Sequence, residues 1–149
     1  MNESQKKYYH KLKEDIEAWK SSGENRERKW RRYVEYAPEM FKIICSLALD
    51  PETKPRCMAR LTFAMTYFIS PNDIMPEKQL GKVGFLDDVF LAACALSDVM
   101  ENTTISLLMK HWEGDENIAV IIKEILDAAN EFLGEETAGT LRMLYEQSG

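Results

Sequence analysis

Three aspartates lie beside strongly apolar segments in the middle of the chain, and their type and spacing could do chemistry. Asp73 stands in the loop that follows one apolar run, and Asp87 with Asp88 opens the next. Carboxylates that converge near backbone carbonyls suit a hard cation such as Mg²⁺ or Ca²⁺. They could equally hold a basic side chain, with Arg56 or Arg60 as candidates, because a buried carboxylate requires a partner.

A structural role explains the same aspartates without an ion, and we favour it. A buried helix that begins after a glycine leaves its first N–H groups without partners, and Asp87 or Asp88 can accept them. Asp73 follows a proline, and its carboxylate can cap the local backbone. The segment would then tie a long crossover across the top of a helical hairpin. The sequence fits no standard ion-binding loop, so we predict no cofactor, with Mg or Ca as the alternative.

The elements that must position these aspartates are helices, because the apolar spacing is helical almost throughout the chain. We predict an all-α, single-domain bundle of six to seven helices over residues 1–149. Its centre is a buried helical hairpin of about 54–69 and 86–101. The second arm is apolar in every direction over residues 89–96, as a buried helix is. The N-terminal helices are predicted in 1–46, the core hairpin in 47–96 and the C-terminal helices in 102–149.

The motif around the aspartates resembles the YkvA-like family, a short helical domain of unknown function. The family pattern is an apolar helix ending in Y-x-x-x-P-x-D-x-x-P, then a loop, then G-x-x-D-D opening a second apolar helix. Within residues 47–96 this chain has the same residues in order: Tyr67, Pro71, Asp73, Pro76, Gly84, Asp87 and Asp88. The resemblance implies a helical fold with two paired arms and supplies no activity. The chain departs from the pattern at Glu77, where the family commonly has aspartate.

A basic segment, "RERKWRR" at residues 26–32, is a second candidate site. It could grip phosphates or an anionic membrane surface, with Trp30 stacking or inserting. We favour a solvated helix face whose tryptophan packs inward. The formal charge of −6 argues against nucleic acid as the partner. The basic residues of this segment are Arg26, Arg28, Lys29, Arg31 and Arg32.

The charge of the chain is unevenly distributed. Residues 1–60 hold 14 Lys/Arg and 10 Asp/Glu, whereas residues 61–149 hold 5 and 15. Such polarity can steer a partner protein or align the subunits of a homo-oligomer. It can also mean two helical surfaces that neutralise each other, which is the interpretation we favour.

The remaining reactive residue types give no recognisable site. The three cysteines lie in apolar runs without a C-x-x-C pair, so we expect buried thiols in a reducing compartment. His10 and His111 lack a second ligand at zinc spacing. The N-terminus has no apolar signal core, and no apolar run reaches the ~20 residues that span a bilayer. We therefore expect a soluble, cytoplasmic protein without integral membrane insertion.

Two further patterns were weighed as possible binding surfaces. The methionines could form an adaptable groove, but their spread over many helices favours core filling. Glu113, Asp115 and Glu116 precede a helix and fit its dipole. We predict a non-enzymatic module for protein interaction or regulation. The alternatives are a divalent-cation site at Asp73, Asp87 and Asp88, conceivably hydrolytic, and a peripheral membrane module.

Overall fold

The computed structural model describes residues 1–22, 28–69 and 85–149, with the backbone alone at Ser22 and residues 28–31. These residues form helices and no strand, which confirms the all-α prediction. They contain eight helices, one more than the upper end of the predicted range. The helices are α1 (Glu3–Ser22), α2 (Arg28–Glu35), α3 (Ala37–Ala48), α4 (Pro55–Ile69), α5 (Phe85–Asn102), α6 (Ile105–His111), α7 (Ile118–Leu133) and α8 (Glu135–Glu146).

The higher number of helices comes from two short breaks that separate neighbouring helices. Tyr36 forms a turn between α2 and α3, and Pro38 lies in the first turn of α3, where its missing N–H is tolerated. Thr104 adopts an extended conformation between α5 and α6. Pro38 lies just after the first break, and the polar residues at 102–104 lie at the second.

The centre of the bundle is α5, as the apolar composition predicts. Every side chain from Leu86 to Ala93 is fully buried, including two aspartates. The helix packs against α2, α3, α4, α6, α7 and α8. The predicted hairpin of α4 and α5 is confirmed, with ends that differ from the prediction by one residue. Neither α5 nor any other described helix is long and apolar enough to cross a bilayer.

The first helix covers one side of this core through an apolar stripe. At its start Asn2 and Gln5 exchange side-chain hydrogen bonds with each other's backbone N–H, at 2.8 and 3.0 Å. This reciprocal cap satisfies two free donors of the helix end. The Tyr8 ring lies 4.8 Å from that of Phe41, and the Tyr8 hydroxyl donates to the Phe68 carbonyl at 2.6 Å. These contacts fix α1 on α3 and α4.

Candidate functional site

The motif aspartates lie at the buried start of α5. Asp87 is in the first turn, and its Oδ1 accepts the N–H of Asp88 at 3.0 Å. Its Oδ2 accepts the hydroxyl of Tyr67, near the end of α4, at 3.0 Å. Each carboxylate oxygen of Asp87 therefore accepts a hydrogen bond within the hairpin. Oδ1 stabilises the start of α5, and Oδ2 links α5 to α4.

The structure describes only part of the motif. Asp88 is fully buried beside Asp87, so two adjacent carboxylates lie inside the bundle. Among the described residues, no three His, Cys, Asp or Glu side chains are grouped as metal ligands. The other motif residues, Pro71, Asp73, Pro76 and Gly84, lie outside the described residues.

The basic segment is described in part. Arg26 lies outside the described residues, and the side chains of Arg28, Lys29 and Arg31 are not described. Arg32 is exposed and forms ion pairs with Glu116 at 3.2 Å and Glu124 at 3.1 Å.

The opposite charges of the two halves of the chain meet within the molecule. Besides the two pairs of Arg32, Lys42 of α3 pairs with Glu113 at 2.8 Å. The hydroxyl of Tyr36 also donates to Glu116, at 2.5 Å. Glu113 and Glu116 are thus held by α2, α3 and the turn between them, and are not only a complement to the dipole of α7. These pairs match the interpretation that the two surfaces neutralise each other.

A partly buried ionic cluster joins α4, α5 and α8, and the sequence did not indicate it. Arg60 Nη1 donates to Asp98 Oδ2 at 2.7 Å, and the Tyr145 hydroxyl donates to the same oxygen. The guanidinium carbon of Arg60 lies 4.9 Å from the centre of the Tyr145 ring. The arginine offered as a partner for the motif aspartates thus pairs with Asp98, while Arg56 is exposed. Burial and the bond to Asp98 raise the pKa of Tyr145.

A second cluster surrounds Asp50, in the turn between α3 and α4. Its side chain is 3% exposed, and its Oδ2 contacts His111 Nε2 at 2.7 Å and Lys110 Nζ at 3.2 Å. Its Oδ1 accepts the N–H of Glu52 at 2.8 Å. The bonds from His111 and from that N–H lower the pKa of Asp50 to about 2. His111, which appears isolated in the sequence, therefore ties the end of α6 to this turn.

The thiols are poor nucleophiles. Burial raises the pKa of Cys45 to about 11 and that of Cys94 to about 12, and it also raises the pKa of Cys57. A thiol with a raised pKa stays protonated at neutral pH, and the thiolate is the reactive form. Cys45 and Cys57 are buried as predicted, and Cys94 is half-buried.

A groove with both apolar and acidic walls opens between the end of α6 and the start of α7. It has a volume of about 270 Å³, and its walls include Met109, Trp112 and Ile118, with Asp115 and Glu116 beside them. Met109 is 64% exposed, so core filling is the wrong prediction for this methionine. Ile105, one turn earlier on α6, is also exposed.

The groove is shaped by a fixed tryptophan. The indole Nε1 of Trp112 donates to the carbonyl of Glu116 at 2.8 Å. A Cβ added at Gly114 would lie 2.2 Å from the Trp112 ring, so the indole packs directly on the glycine backbone. At the start of α7, Asn117 accepts the N–H of Ala119 at 2.9 Å. The loop from Trp112 to Asn117 is therefore closed by contacts of its own.

The segment that carries the aspartate motif is similar to a family of unknown function. Residues 58–94 match the model described as "Protein of unknown function (DUF1232)", which is the YkvA-like family. The chain is also similar to "Uncharacterized protein ORF9" of Methanothermobacter thermautotrophicus, with 24% identity over 101 residues. That similarity covers 68% of this chain and 69% of the relative. No solved structure gives a significant match. These matches support the helical hairpin and assign no activity.

Proposed function

We propose that this protein is a non-enzymatic helical module that binds another protein through the groove between α6 and α7. The observation that carries the proposal is the outward position of Met109 beside Trp112 in an open groove. Large apolar side chains grouped on a surface are typical of binding sites. Most other large apolar side chains that the structure describes lie in one core.

The walls of the groove suit a binding surface in different ways. Trp112 is held by Gly114 and by the Glu116 carbonyl, so little conformational entropy is lost when a partner covers the ring. Methionine is unbranched and polarisable, so Met109 can adjust to the shape of what it contacts. A rigid aromatic residue beside an adaptable one resembles the centre of many protein interfaces.

The charges around the groove indicate what kind of segment it accepts. Asp115 forms no ion pair with any described residue, and Glu116 lines the groove while sharing its charge with Arg32. Electrostatic complementarity then favours lysine or arginine on the partner. We therefore expect a partner segment with one large apolar side chain flanked by basic residues.

Fluorescence polarisation with labelled peptides tests the proposal. The probe is a set of short synthetic peptides with a central leucine or tryptophan between lysines and arginines. We expect binding to the wild-type protein and about tenfold weaker binding to Met109→Ser, because losing a buried methionine contact costs about 1.5 kcal/mol or more. Peptides with serine in place of the apolar residue should not bind.

The matched control for this experiment is Met143→Ser. Met143 is 59% exposed on α8, away from the groove, so the same substitution there should leave peptide binding unchanged. Equal losses in the two variants, or no binding of any basic peptide, would contradict the proposal. Sedimentation of the free protein tests the other occupant, since a dimer abolished by Met109→Ser would mean that the groove binds a second copy of the chain.

A divalent cation at Asp73, Asp87 and Asp88 is the second candidate. The two adjacent buried carboxylates at the start of α5 favour it, whereas the two hydrogen bonds to Asp87 favour the structural role. Thermal unfolding with Mg²⁺, Ca²⁺ or Mn²⁺ at matched ionic strength distinguishes the two roles. An ion at a hundred times its Kd adds ~2.7 kcal/mol of stability, a Tm rise of roughly 5–10 °C.

The variants for the cation experiment are Asp73→Asn and, as control, Asp127→Asn on the exposed face of α7. A Tm rise that Asp73→Asn removes and the control keeps would support the ion site. We expect no rise for any of these ions, with Asp87→Asn melting lower in their presence and absence.

The internal pairing of Arg32 likewise favours a solvated face over a membrane contact for residues 26–32.

A further inference from the structure

A polar cleft lies where α8 meets α4 and α5, and none of its lining residues lines the groove. Its volume is about 240 Å³, which is large enough for a metabolite of amino-acid size. The ionic cluster of Arg60, Asp98 and Tyr145 forms part of its wall. The half-buried side chains of Cys94 and Leu126 give the cleft an apolar surface as well.

The inner wall of the cleft is fixed before any ligand arrives. The side chain of Arg60 is only 10% exposed and is held by Asp98 and by the Tyr145 ring. Its Nε is buried and has no hydrogen-bond partner among the described residues. The bond to Asp98 and the contact with the Tyr145 ring hold the guanidinium in place, whereas its buried Nε is out of reach of a ligand in the cleft.

The rim of the cleft carries charges that the fold leaves without partners. Arg142, Glu101 and Glu146 are exposed and line the cleft. None of the three forms an ion pair with any residue in the described parts of the chain. The guanidinium of Arg142 instead lies 5.6 Å from the centre of the Phe90 ring. One cation and two anions are therefore presented together at the mouth of a small cavity.

We infer that this cleft binds a small zwitterionic amine, and that a basic amino acid is the ligand whose charges match it. Arg142 would pair with the carboxylate of the ligand, and Glu101 and Glu146 with its two ammonium groups. The aliphatic part would pack on Cys94 and Leu126. The pairing would neutralise the unbalanced charges of the rim, and the already ordered inner wall lowers the entropic cost of binding. This inference does not depend on the groove or on its partner.

Isothermal titration of the whole protein with L-lysine and with pentane-1,5-diamine tests the inference. The diamine keeps both ammonium groups and lacks the carboxylate. We expect lysine to bind, the diamine to bind more weakly, and Arg142→Gln to weaken lysine about tenfold while leaving the diamine unchanged. Lys123→Gln removes a cation from the exposed face of α7 and serves as the matched control, with no expected effect.

Each possible result of this titration either supports or overturns the site. A lysine affinity that falls in Arg142→Gln and not in Lys123→Gln supports the site. The inference is overturned if lysine gives no heat up to about 10 mM, a concentration at which millimolar dissociation constants are detected. Equal binding of lysine and the diamine to the wild-type protein would also overturn it, because the carboxylate would then contribute nothing. Circular dichroism of each variant checks that the helices are intact.

Discussion

Asp50 is a buried carboxylate whose pKa is lowered by its neighbours. Its Oδ2 pairs with Lys110 and contacts His111, and its Oδ1 accepts the N–H of Glu52. Because its pKa is lowered from 3.8 to about 2, the folded state prefers the ionised form more than the unfolded chain does. The stability that follows is fully present above pH 4 and is lost as the pH falls through 2.

We predict that Asp50→Asn lowers the free energy of unfolding by about 1.5–3 kcal/mol at neutral pH, because it leaves Lys110 and His111 without a buried charge. The variant should also lose the part of the pH dependence that lies between about pH 4 and pH 2. Urea unfolding at a series of pH values measures both effects. Asp127→Asn, in an exposed pair, should change stability by about 0.5 kcal/mol or less. A wild-type curve that stays parallel to that of Asp50→Asn across the acid range would contradict the assignment.

Among the elements, α8 shows most clearly how a helix with a modest apolar face is held in place. Its buried residues are Ala138, Leu141 and Tyr145, and the hydroxyl of Tyr145 donates to Asp98 of α5. The same hydroxyl lies 3.1 Å from the carbonyl of Cys94, a second acceptor. A polar anchor therefore supplements a small hydrophobic interface.

We predict that Tyr145→Phe destabilises the protein by about 1.5–3 kcal/mol, since Asp98 loses a donor in a buried site. Amide hydrogen exchange should show faster opening of α8 than of α5. Met143→Ala, at an exposed position of the same helix, should change neither quantity measurably. If α8 and α5 exchanged at equally increased rates, the anchor would belong to the whole bundle and not to α8.

Across the whole molecule, the elements that follow a simple apolar period could be predicted from the sequence. In the hairpin of α4 and α5, in α1 and in α7, the apolar residues that recur at helical spacing are buried. The tertiary polar clusters could not be predicted, because their members lie far apart in sequence. Arg60 and Asp98 are 38 residues apart, and His111 and Asp50 are 61 residues apart. Such pairs depend on how the helices pack, which the spacing within one helix does not encode.

Only part of the candidate site could be predicted from the sequence. The motif led to Asp87 and Tyr67, whose hydrogen bond joins the hairpin arms, since both residues are fixed by the same local pattern. The exposed groove escaped prediction because Met109 looks like any other methionine in a helical period. The bend after His111, which the sequence did not indicate, ends α6 so that Trp112 lines the groove together with the exposed Met109.

The packing of the Trp112 ring on Gly114 also restricts the order in which this protein could change during evolution. No side chain fits at position 114 while the indole occupies that space, since even a Cβ would lie 2.2 Å from the ring. A lineage that acquired a side chain there would first have to replace the tryptophan with a smaller residue. A homologue that keeps the tryptophan should therefore keep the glycine, whereas one that has lost the tryptophan can carry a side chain at position 114.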